Sequence, residues 1–438
     1  MGQDAELGEE TAPADHRSRG RRRPSEPEQP VRSRRSKPRT PKAAARLDGP
    51  VVAVTGAAGP VGRALVQRLA ERARLEDGVG SVVAIDAARD AVRDGVRDGG
   101  SRTGRASARG RAPAEVSWRH VDVRDPSVVT ALTGRSVVVH AVVPDVPEVH
   151  DDPGGRGRTD GDARHVDGWS GLVDSARAVL TAAAAGVGRA VVVTSAMVYG
   201  AAADNAVPLD EDAALRAVAD GPATSALLEV EDIAAAARAV HPGLQVTVVR
   251  PAILVGPGVD SVFTRHFEAP RLLVVKGCVP HWQFCHVDDL VSALEAAALG
   301  PLDGVVTVAC DGFLTQAAVE DVTGMRSIEL PARLAYGTAE RLHRIGITPA
   351  PASELAYTAE PWVVPSTRLR AAGWEPAHDN ASALAALVEE KANRAAARAA
   401  AGGRHLGRDA TLGAAGATVA VLGTAAVVRQ IRRQRRGG

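Results

Sequence analysis

The sequence predicts an α/β fold built around a doubly wound parallel sheet, and three observations support this prediction. Apolar strand-like runs alternate with helix-like segments over residues 50–385 of the 438-residue chain. A Gly-rich turn joins the first of these strands to the first helix. Both ends of the chain lack the large apolar side chains of the middle, so we expect a tail on each side of the fold.

The first strand and the first helix surround the Gly-rich turn. Residues 51–55 form an apolar, β-branched run typical of a buried parallel strand, and an apolar stripe at helical spacing follows from residue 61. In the Thr-Gly-x-x-Gly-x-x-Gly pattern between them, the first Gly lets the chain reverse and the second lets the backbone approach a pyrophosphate. The third lets the helix pack closely on the strand. The predicted cofactor contacts in this stretch are Thr55, Gly56, Ala58, Gly59, Pro60, Val61 and Gly62.

This turn predicts a dinucleotide site. Pro60 suits the first helical turn, where no amide donor is needed, and the free amides and the positive end of the helix dipole face the phosphates. The second apolar run, residues 81–85, ends at Asp86, whose carboxylate can accept from both ribose hydroxyls and repels a 2′-phosphate. The pattern therefore favours NAD over NADP, although Arg89 three residues later argues for NADP. A tight strand-to-helix turn without a ligand is the alternative.

The later segments continue the alternation of strands and helices. Polar insertions at 87–114 and 145–161 are expected to form loops. We expect four further strands and one helix, namely strands within 116–123, 136–143, 190–195 and 245–249 and a helix over 172–185.

The two ends are predicted to lie outside a folded domain that spans residues 49–385. Residues 1–48 are polar and carry a basic run, so we expect a disordered tail, with contact to nucleic acid or anionic lipid as the alternative. Nucleic acid is the less favoured partner because the net charge is only +1 and no aromatic residues interleave the arginines. The acidic first residues do not resemble a secretory signal peptide, and we expect a cytoplasmic protein.

The C-terminal region, residues 386–438, is rich in Ala and Arg. Its segment 410–428 is uncharged and would be about 28 Å long as a helix, close to a bilayer core. Much of that segment is Ala, Gly and Thr, and the arginines after it would lie outside in a true span, against the positive-inside tendency. We expect either a loose helical tail or membrane contact through 410–428.

The cysteines and histidines predict no metal site. Cys278, Cys285 and Cys310 are too few for a disulfide framework and are typical of a reducing compartment. Cys278, His281, Cys285 and His286 lie close in sequence, but their spacing fits no standard zinc site and apolar residues interleave them as in a strand.

Several motifs, taken in order, resemble those of the extended short-chain dehydrogenase/reductases of the NAD-dependent epimerase/dehydratase family. Beside the turn and Asp86, the pair Asp122 and Val123 resembles the residues that contact adenine. The segment 195–200 resembles the Ser-x-x-Val-Tyr-Gly motif of the family. Later resemblances lie at 249–251, 255–258, 286–290 and 369–376, so the match spans roughly three quarters of the chain.

The resemblance implies a Rossmann domain with a small C-terminal substrate lobe built mainly after residue 200. It also implies that Ala141 and Pro251 lie beside the cofactor. The reactions of the family imply a nucleotide-sugar or steroid-like substrate, and its habits of association imply a homodimer formed through helices near 172–185 and 223–239.

The pair of residues that carries the chemistry of the family is absent. In the family, a Tyr-x-x-x-Lys pair on the helix after the fifth strand supplies the general acid/base, and the resemblance places Ala223 and Leu227 there. No Tyr in the chain is followed by Lys four residues later. Ser195 remains and is expected to cap the strand end, and Tyr199 is a possible substitute acid without a cationic neighbour in the sequence.

The intact dinucleotide turn, together with the absence of the Tyr-x-x-x-Lys pair, leaves two alternative functions. We favour an NAD(H)-binding protein without the standard chemistry, a sensor or scaffold whose further partner is a small molecule or a protein. The alternative is an oxidoreductase or epimerase that uses other groups. An open pocket with a titratable group would indicate the enzyme, and a space filled by Val142, Leu172 and Leu227 would indicate the binding module.

Overall fold

The computed structural model describes residues 49–75, 77–87, 116–143, 168–344 and 351–402. Our predictions for the tail 1–48, for Arg89, for the segment 410–428 and for nearly all of the two polar insertions concern residues outside these ranges. Within them, no helix is both long enough and apolar enough to cross a membrane.

The described chain contains strands and helices in close alternation. The strands are β1 (Val51–Thr55), β2 (Ser81–Asp86), β3 (Ser117–His120), β4 (Val137–His140), β5 (Arg189–Val193), β6 (Gln245–Pro251), β7 (Ile253–Val255), β8 (Leu272–Lys276), β9 (Phe284–His286), β10 (Gly304–Val308) and β11 (Ser327–Pro331). The helices are α1 (Pro60–Leu75), α2 (Val128–Leu132), α3 (Gly168–Ala184), α4 (Pro222–Val240), α5 (Val262–His266), α6 (Val287–Leu299), α7 (Gln316–Thr323), α8 (Ala332–Arg344), α9 (Thr367–Ala371) and α10 (Asn380–Gly402). Two 3₁₀ turns lie at Ala196–Tyr199 and Ala352–Thr358.

Seven of these strands form one parallel sheet in the order β10-β6-β5-β4-β1-β2-β3. The order reverses at β1, since the chain runs outward through β2 and β3 and then returns to place β4 on the other side of β1. A parallel sheet with such a reversal opens a crevice at the carboxyl ends of its central strands. The predicted doubly wound α/β fold is confirmed.

The core explains why these residues form these elements. β4 is buried along its whole length, as a strand covered by helices on both faces requires. The predicted stripe of α1 is buried at Val61, Leu65 and Leu69. α3 packs against α4, and its buried residues include small ones such as Ala176. The apolar side chains around the sheet form a single large cluster.

The later segments build a smaller lobe beside the carboxyl ends of the strands. Its frame is two short parallel pairs, β11 with β8 and β7 with β9, and an antiparallel bridge between Trp282 and Leu314. Phe267 packs here against Trp282 and Phe284, and Phe263 packs against Trp362, with the rings tilted or edge-on. This lobe covers one side of the crevice.

Candidate functional site

The Gly-rich turn connects the end of β1 to the start of α1, as predicted. Gly56 has φ of 72°, and a Cβ there would lie 2.7 Å from Val142 Cγ2. A Cβ on Gly62 would lie 2.0 Å from the carbonyl oxygen of Gly56, so no larger residue fits at that position. At Gly59, by contrast, the nearest atom to a built Cβ is the Gly56 oxygen at 3.4 Å. The protein itself therefore requires Gly at 56 and 62 and leaves room at 59.

The acidic residue after β2 reaches this turn. Asp86 Oδ2 accepts a hydrogen bond from the amide of Ala58 at 3.0 Å. The amides of Val61 and Gly62 lie in the first turn of α1, where a helix offers them no carbonyl partner of its own. The turn thus combines amides that have no partner within the helix with the carboxylate of Asp86 beside them.

The other residues predicted to hold the cofactor lie at the ends of neighbouring strands. Ala141 is buried directly after β4, with its carbonyl oxygen 3.3 Å from a Cβ built on Gly56. Val123 is buried, whereas Asp122 is more exposed and pairs with Arg124, with Nη2 and Oδ2 2.7 Å apart. The hydrogen bond from Arg124 holds the pKa of Asp122 below its ordinary value.

A row of buried polar side chains, linked by hydrogen bonds, begins at the last residue of β1 beside the Gly-rich turn. The sequence did not predict this row. Thr55 Oγ1 lies 2.9 Å from His140 Nδ1, and Ser175 Oγ lies 3.2 Å from His140 Nε2. The Ser175 hydroxyl donates to the carbonyl oxygen of Leu172, so its oxygen accepts from Nε2–H, and Nδ1 accepts from Thr55. Burial lowers the pKa of His140 to about 4, which keeps the ring neutral.

A cavity of about 230 Å³ opens at the carboxyl ends of β5 and β6, between the sheet and the smaller lobe. Most of its wall is apolar, and its polar side chains are Thr194, Ser195, Asp260, Ser261 and Glu354. Neither Arg nor Lys is among the described residues that line it. The apolar lining consists of Pro60, Val143, Trp169, Met197, Pro222, Ala223, Leu227, Pro251, Ala252, Ile253, Leu254, Val259, Val262, Phe263 and Trp362.

The two carboxylates of this cavity differ in their surroundings. Asp260 forms two hydrogen bonds with Arg265, 2.9 Å to Nε and 2.7 Å to Nη2. Glu354 is 8% exposed, and its Oε1 has no hydrogen-bond partner among the described residues. Burial, with a contribution from the charge of Asp220, raises the pKa of Glu354 to about 7. No sequence motif singled out this glutamate.

The model for the NAD-dependent epimerase/dehydratase family matches residues 52–306, which is more than half of the chain. The chain belongs to this family.

The chain is also similar to a mycobacterial protein and, in fold, to solved structures. An uncharacterized protein of Mycobacterium tuberculosis (strain ATCC 25618 / H37Rv) is 25% identical over 329 residues, covering 74% of this chain and 80% of its own. Among solved structures, the dTDP-glucose 4,6-dehydratase DesIV of Streptomyces venezuelae, with NAD and TYD bound, has a TM-score of 0.53 at 18% identity. That match covers 79% of this chain and 98% of the other. The UDP-glucose 4-epimerase of Thermus thermophilus, in complex with NAD, has a TM-score of 0.51 at 21% identity and covers 77% and 98%.

The cavity wall contains several of the residues that the resemblance singled out. Ala223 and Leu227, which the resemblance places at the Tyr and Lys positions, both line it. Ser195 also lines it, and its Oγ accepts from the amide of Met197 at 3.2 Å, which caps the following 3₁₀ turn. Leu227 occupies part of the wall, while Val142 and Leu172 are buried elsewhere in the core, so these three apolar residues do not fill the space.

Tyr199 is buried away from the cavity in a network of its own. Its hydroxyl donates to the carbonyl oxygen of Glu211 at 2.7 Å and accepts from Arg250 Nη1 at 2.8 Å. The sequence-based statement that Tyr199 lacks a cationic neighbour is therefore wrong, because β6 brings Arg250 to it from a distant part of the chain. Burial still outweighs Arg250, and the pKa of Tyr199 is raised.

Within the described ranges, one group of side chains has ligand atoms close enough to hold a metal ion. Single atoms of His286, Asp288 and His378 lie within 4.8 Å of one another. His286 Nδ1 already accepts from the amide of Asp288 as the N-cap of α6, and His378 Nδ1 lies 3.0 Å from Asp289 Oδ2. The two histidine rings also lie against each other at a tilt of 32°, with centroids 4.0 Å apart. We assign no metal to this group, and the absence of a metal site stays a prediction.

Proposed function

We propose that this chain binds NAD(H) in the turn between β1 and α1. The observation that carries the proposal is the contrast between the glycines. A Cβ on Gly56 or Gly62 would clash within the protein, whereas one on Gly59 would make only an ordinary contact, 3.4 Å from the Gly56 oxygen, beside the first amides of α1. That is where a pyrophosphate lies in a dinucleotide turn. The carboxylate of Asp86 at the rim favours NAD over NADP, and solved relatives of the same fold contain NAD.

The cavity extends this proposal to a second ligand. Pro60 at the start of α1 is part of its wall, so the cavity continues from the dinucleotide turn. A nucleotide sugar carries a diphosphate that calls for cationic or amide partners, and the described wall offers mostly apolar groups. An uncharged, largely apolar small molecule suits it better.

The vacant catalytic pair makes this an atypical member of the family. With Ala223 and Leu227 in the wall, a Tyr hydroxyl and a Lys ammonium are not available to move a proton in the usual way. The cavity is open and contains a titratable group, so the better-supported candidate is an oxidoreductase or epimerase with a different proton-transfer group, the buried carboxyl of Glu354. The second candidate is an NAD(H)-binding protein that senses or presents its cofactor and a second ligand, and the vacant pair at Ala223 and Leu227 supports it.

Calorimetric titration of the full chain with NAD, NADH and NADPH tests the cofactor site. The decisive variant is Gly59→Ala, since a methyl group fits the protein at 3.4 Å from its nearest neighbour but occupies the predicted phosphate position. The matched control is Gly186→Ala, where a built Cβ has no neighbour within 4 Å. We expect Gly59→Ala to fold and to lose at least tenfold in NADH affinity, about 1.4 kcal/mol. Unchanged NADH binding by Gly59→Ala would exclude this turn as the site.

A further inference from the structure

Glu354 comes to the cavity from the smaller lobe and meets the start of α4. It lies in the 3₁₀ turn Ala352–Thr358, and its carboxyl accepts a hydrogen bond from the amide of Ala223. Its Oε1 lies only 2.5 Å from the position that a Cβ on Gly221 would take, so glycine at 221 makes room for the carboxyl. The carboxyl thus lies next to Ala223. Residue 223 is the position at which the resemblance places the family's tyrosine.

The charges that act on Glu354 come from Asp220 and His343. Asp220, just before α4, disfavours its ionisation, and His343 on α8 favours it more weakly. Tyr357, on the same 3₁₀ turn, directs its hydroxyl away to the carbonyl oxygen of Met197 at 2.8 Å. A carboxyl buried in an apolar wall with one unpartnered oxygen is unfavourable for folding, and such groups are concentrated at functional sites.

We propose that Glu354 is the acid–base group of this cavity and that its carboxyl exchanges a proton with an uncharged ligand bound there. The inference rests on the proposed function, since it needs a ligand in the cavity beside the dinucleotide turn. The pKa of about 7 means that both protonation states are populated near neutral pH, which suits a group that both gives and takes a proton.

The chemistry points to an alcohol or carbonyl compound as the ligand. With an alcohol, the Glu354 carboxylate takes the hydroxyl proton. A bound oxidised nicotinamide, the co-reactant of the NAD class, would accept the hydrogen of the adjacent C–H bond together with its electron pair. The products are a carbonyl compound, a neutral carboxylic acid and a reduced nicotinamide, and the reverse step returns the same proton. Ser195, on the same wall, is placed to hold the ligand oxygen.

The test uses N,N′-dicyclohexylcarbodiimide, an uncharged apolar reagent, on the full chain. A neutral carboxylic acid gives its proton to a nitrogen of this reagent, and the carboxylate oxygen then bonds to the central carbon. Rearrangement yields a stable N-acylurea, which mass spectrometry can locate. We expect the adduct at Glu354, with a labelling rate that falls about a hundredfold between about pH 6 and pH 9 as the acid ionises. We expect none at Asp260, which Arg265 keeps in an ion pair.

Matched variants distinguish labelling at Glu354 from unspecific reaction of the carbodiimide with other carboxyl groups. Glu354→Gln is expected to lose the adduct, and Glu375→Gln, an exposed glutamate of the same lobe, is expected to keep it. Circular dichroism checks that both variants fold. A folded chain that binds NADH but shows no adduct at Glu354, or one whose rate does not change with pH, would overturn the assignment and leave the cofactor proposal standing. A chain labelled at Glu354 that does not bind NADH would overturn the cofactor proposal and leave the proton-donating carboxyl.

Discussion

At the scale of single residues, Gly62 is the position where a side chain is least tolerated. A Cβ there would lie 2.0 Å from the Gly56 oxygen and 2.9 Å from Ala57 Cα, and all the nearest atoms belong to the backbone. We expect Gly62→Ala to lower the free energy of unfolding by about 2 kcal/mol or more, because the turn must move as a whole. Urea unfolding followed by circular dichroism measures this. Gly186→Ala serves as the control, and equal stability of the two variants would contradict the prediction.

Asp86 is the residue at which cofactor preference can be tested. Asp86→Asn keeps an oxygen that can accept from the Ala58 amide and removes the charge that repels a 2′-phosphate. We expect the ratio of NADPH to NADH affinity to rise by about tenfold, a change of about 1.4 kcal/mol. Calorimetric titration with both cofactors gives the ratio. Asp77→Asn, which removes a charge from the exposed loop before β2, is expected to leave it unchanged.

Single residues also show which parts of the candidate site the sequence could predict and which it could not. The glycines and Asp86 could be predicted because a short local pattern fixes both the turn and its chemistry. Glu354 could not, since its importance depends on a fold that brings it to Gly221 and Ala223 from a distant segment. Tyr199 was misjudged for the same reason, because its partner Arg250 lies on another strand.

At the scale of elements, α4 is held to the sheet by a buried ion pair. Glu231 accepts from Arg250 Nε and Nη2, both at 2.8 Å, and from the hydroxyl of Thr194 at 2.7 Å, with both charged side chains 6% exposed. We expect Glu231→Gln to lower the free energy of unfolding by about 3 kcal/mol, because it leaves a buried guanidinium without its counter-charge. Denaturant titration provides the measurement.

The same helix supplies the control for that prediction. Glu229 pairs with Arg177 of α3 at 2.6 Å, but both side chains are more than half exposed. Glu229→Gln is therefore expected to change stability by less than about 1 kcal/mol. Equal effects of the two substitutions would show that burial does not decide the strength of these pairs.

Helices α3 and α4 also carry the predicted dimer interface, which stays a prediction. Ala235, Ala236 and Ala239 lie at least partly exposed along α4, and Val240 at its end is 69% exposed. Small side chains on neighbouring helices allow close approach of a second copy. We expect light scattering to give a dimer and Ala236→Arg to give a monomer that keeps its fold. A monomeric wild-type chain at micromolar concentration would contradict the prediction.

Elements differed in how well the sequence predicted them. Six of the seven strands of the large sheet were predicted, and β1 and β4 show why, because continuous apolar runs mark strands buried on both faces. β10 (Gly304–Val308) was not among them. The lobe was predicted only as a region, since its strands are as short as β9, Phe284–His286, and pair only in twos. Three residues carry too little periodicity to identify a strand without its tertiary partners.

At the scale of the whole molecule, a buried carboxyl and two buried imidazoles make the free energy of unfolding depend on pH in opposite directions. Glu354 has a pKa raised to about 7, so its folded form holds a proton that the unfolded chain has already released. Its contribution to stability is complete below its ordinary pKa and is lost as the pH rises through about 7. Burial lowers the pKa values of His140 and His266 to about 4. Their contribution to stability is therefore lost as the pH falls toward 4.

The last prediction concerns the free energy of unfolding at acid pH. Between the ordinary histidine pKa of 6.5 and about 4, the unfolded chain takes up a proton that buried His140 does not, so the free energy of unfolding falls as the pH falls. For His140 alone the loss is about 3 kcal/mol over that window, and it levels off below it. Denaturant titrations at several pH values measure the slope.

A single substitution attributes that slope to one ring. In His140→Leu the neighbours keep partners, because Thr55 can donate to the carbonyl oxygen of Val139 and Ser175 to that of Leu172. We expect His140→Leu to remove about 3 kcal/mol of the loss between pH 6.5 and pH 4. His241→Leu, at an exposed histidine after α4, is expected to retain it. If His140→Leu loses stability toward acid as steeply as the wild type, the row of buried polar side chains beside the dinucleotide turn is not the acid-sensitive part of the core, and His266 with its aromatic neighbours becomes the element to vary next.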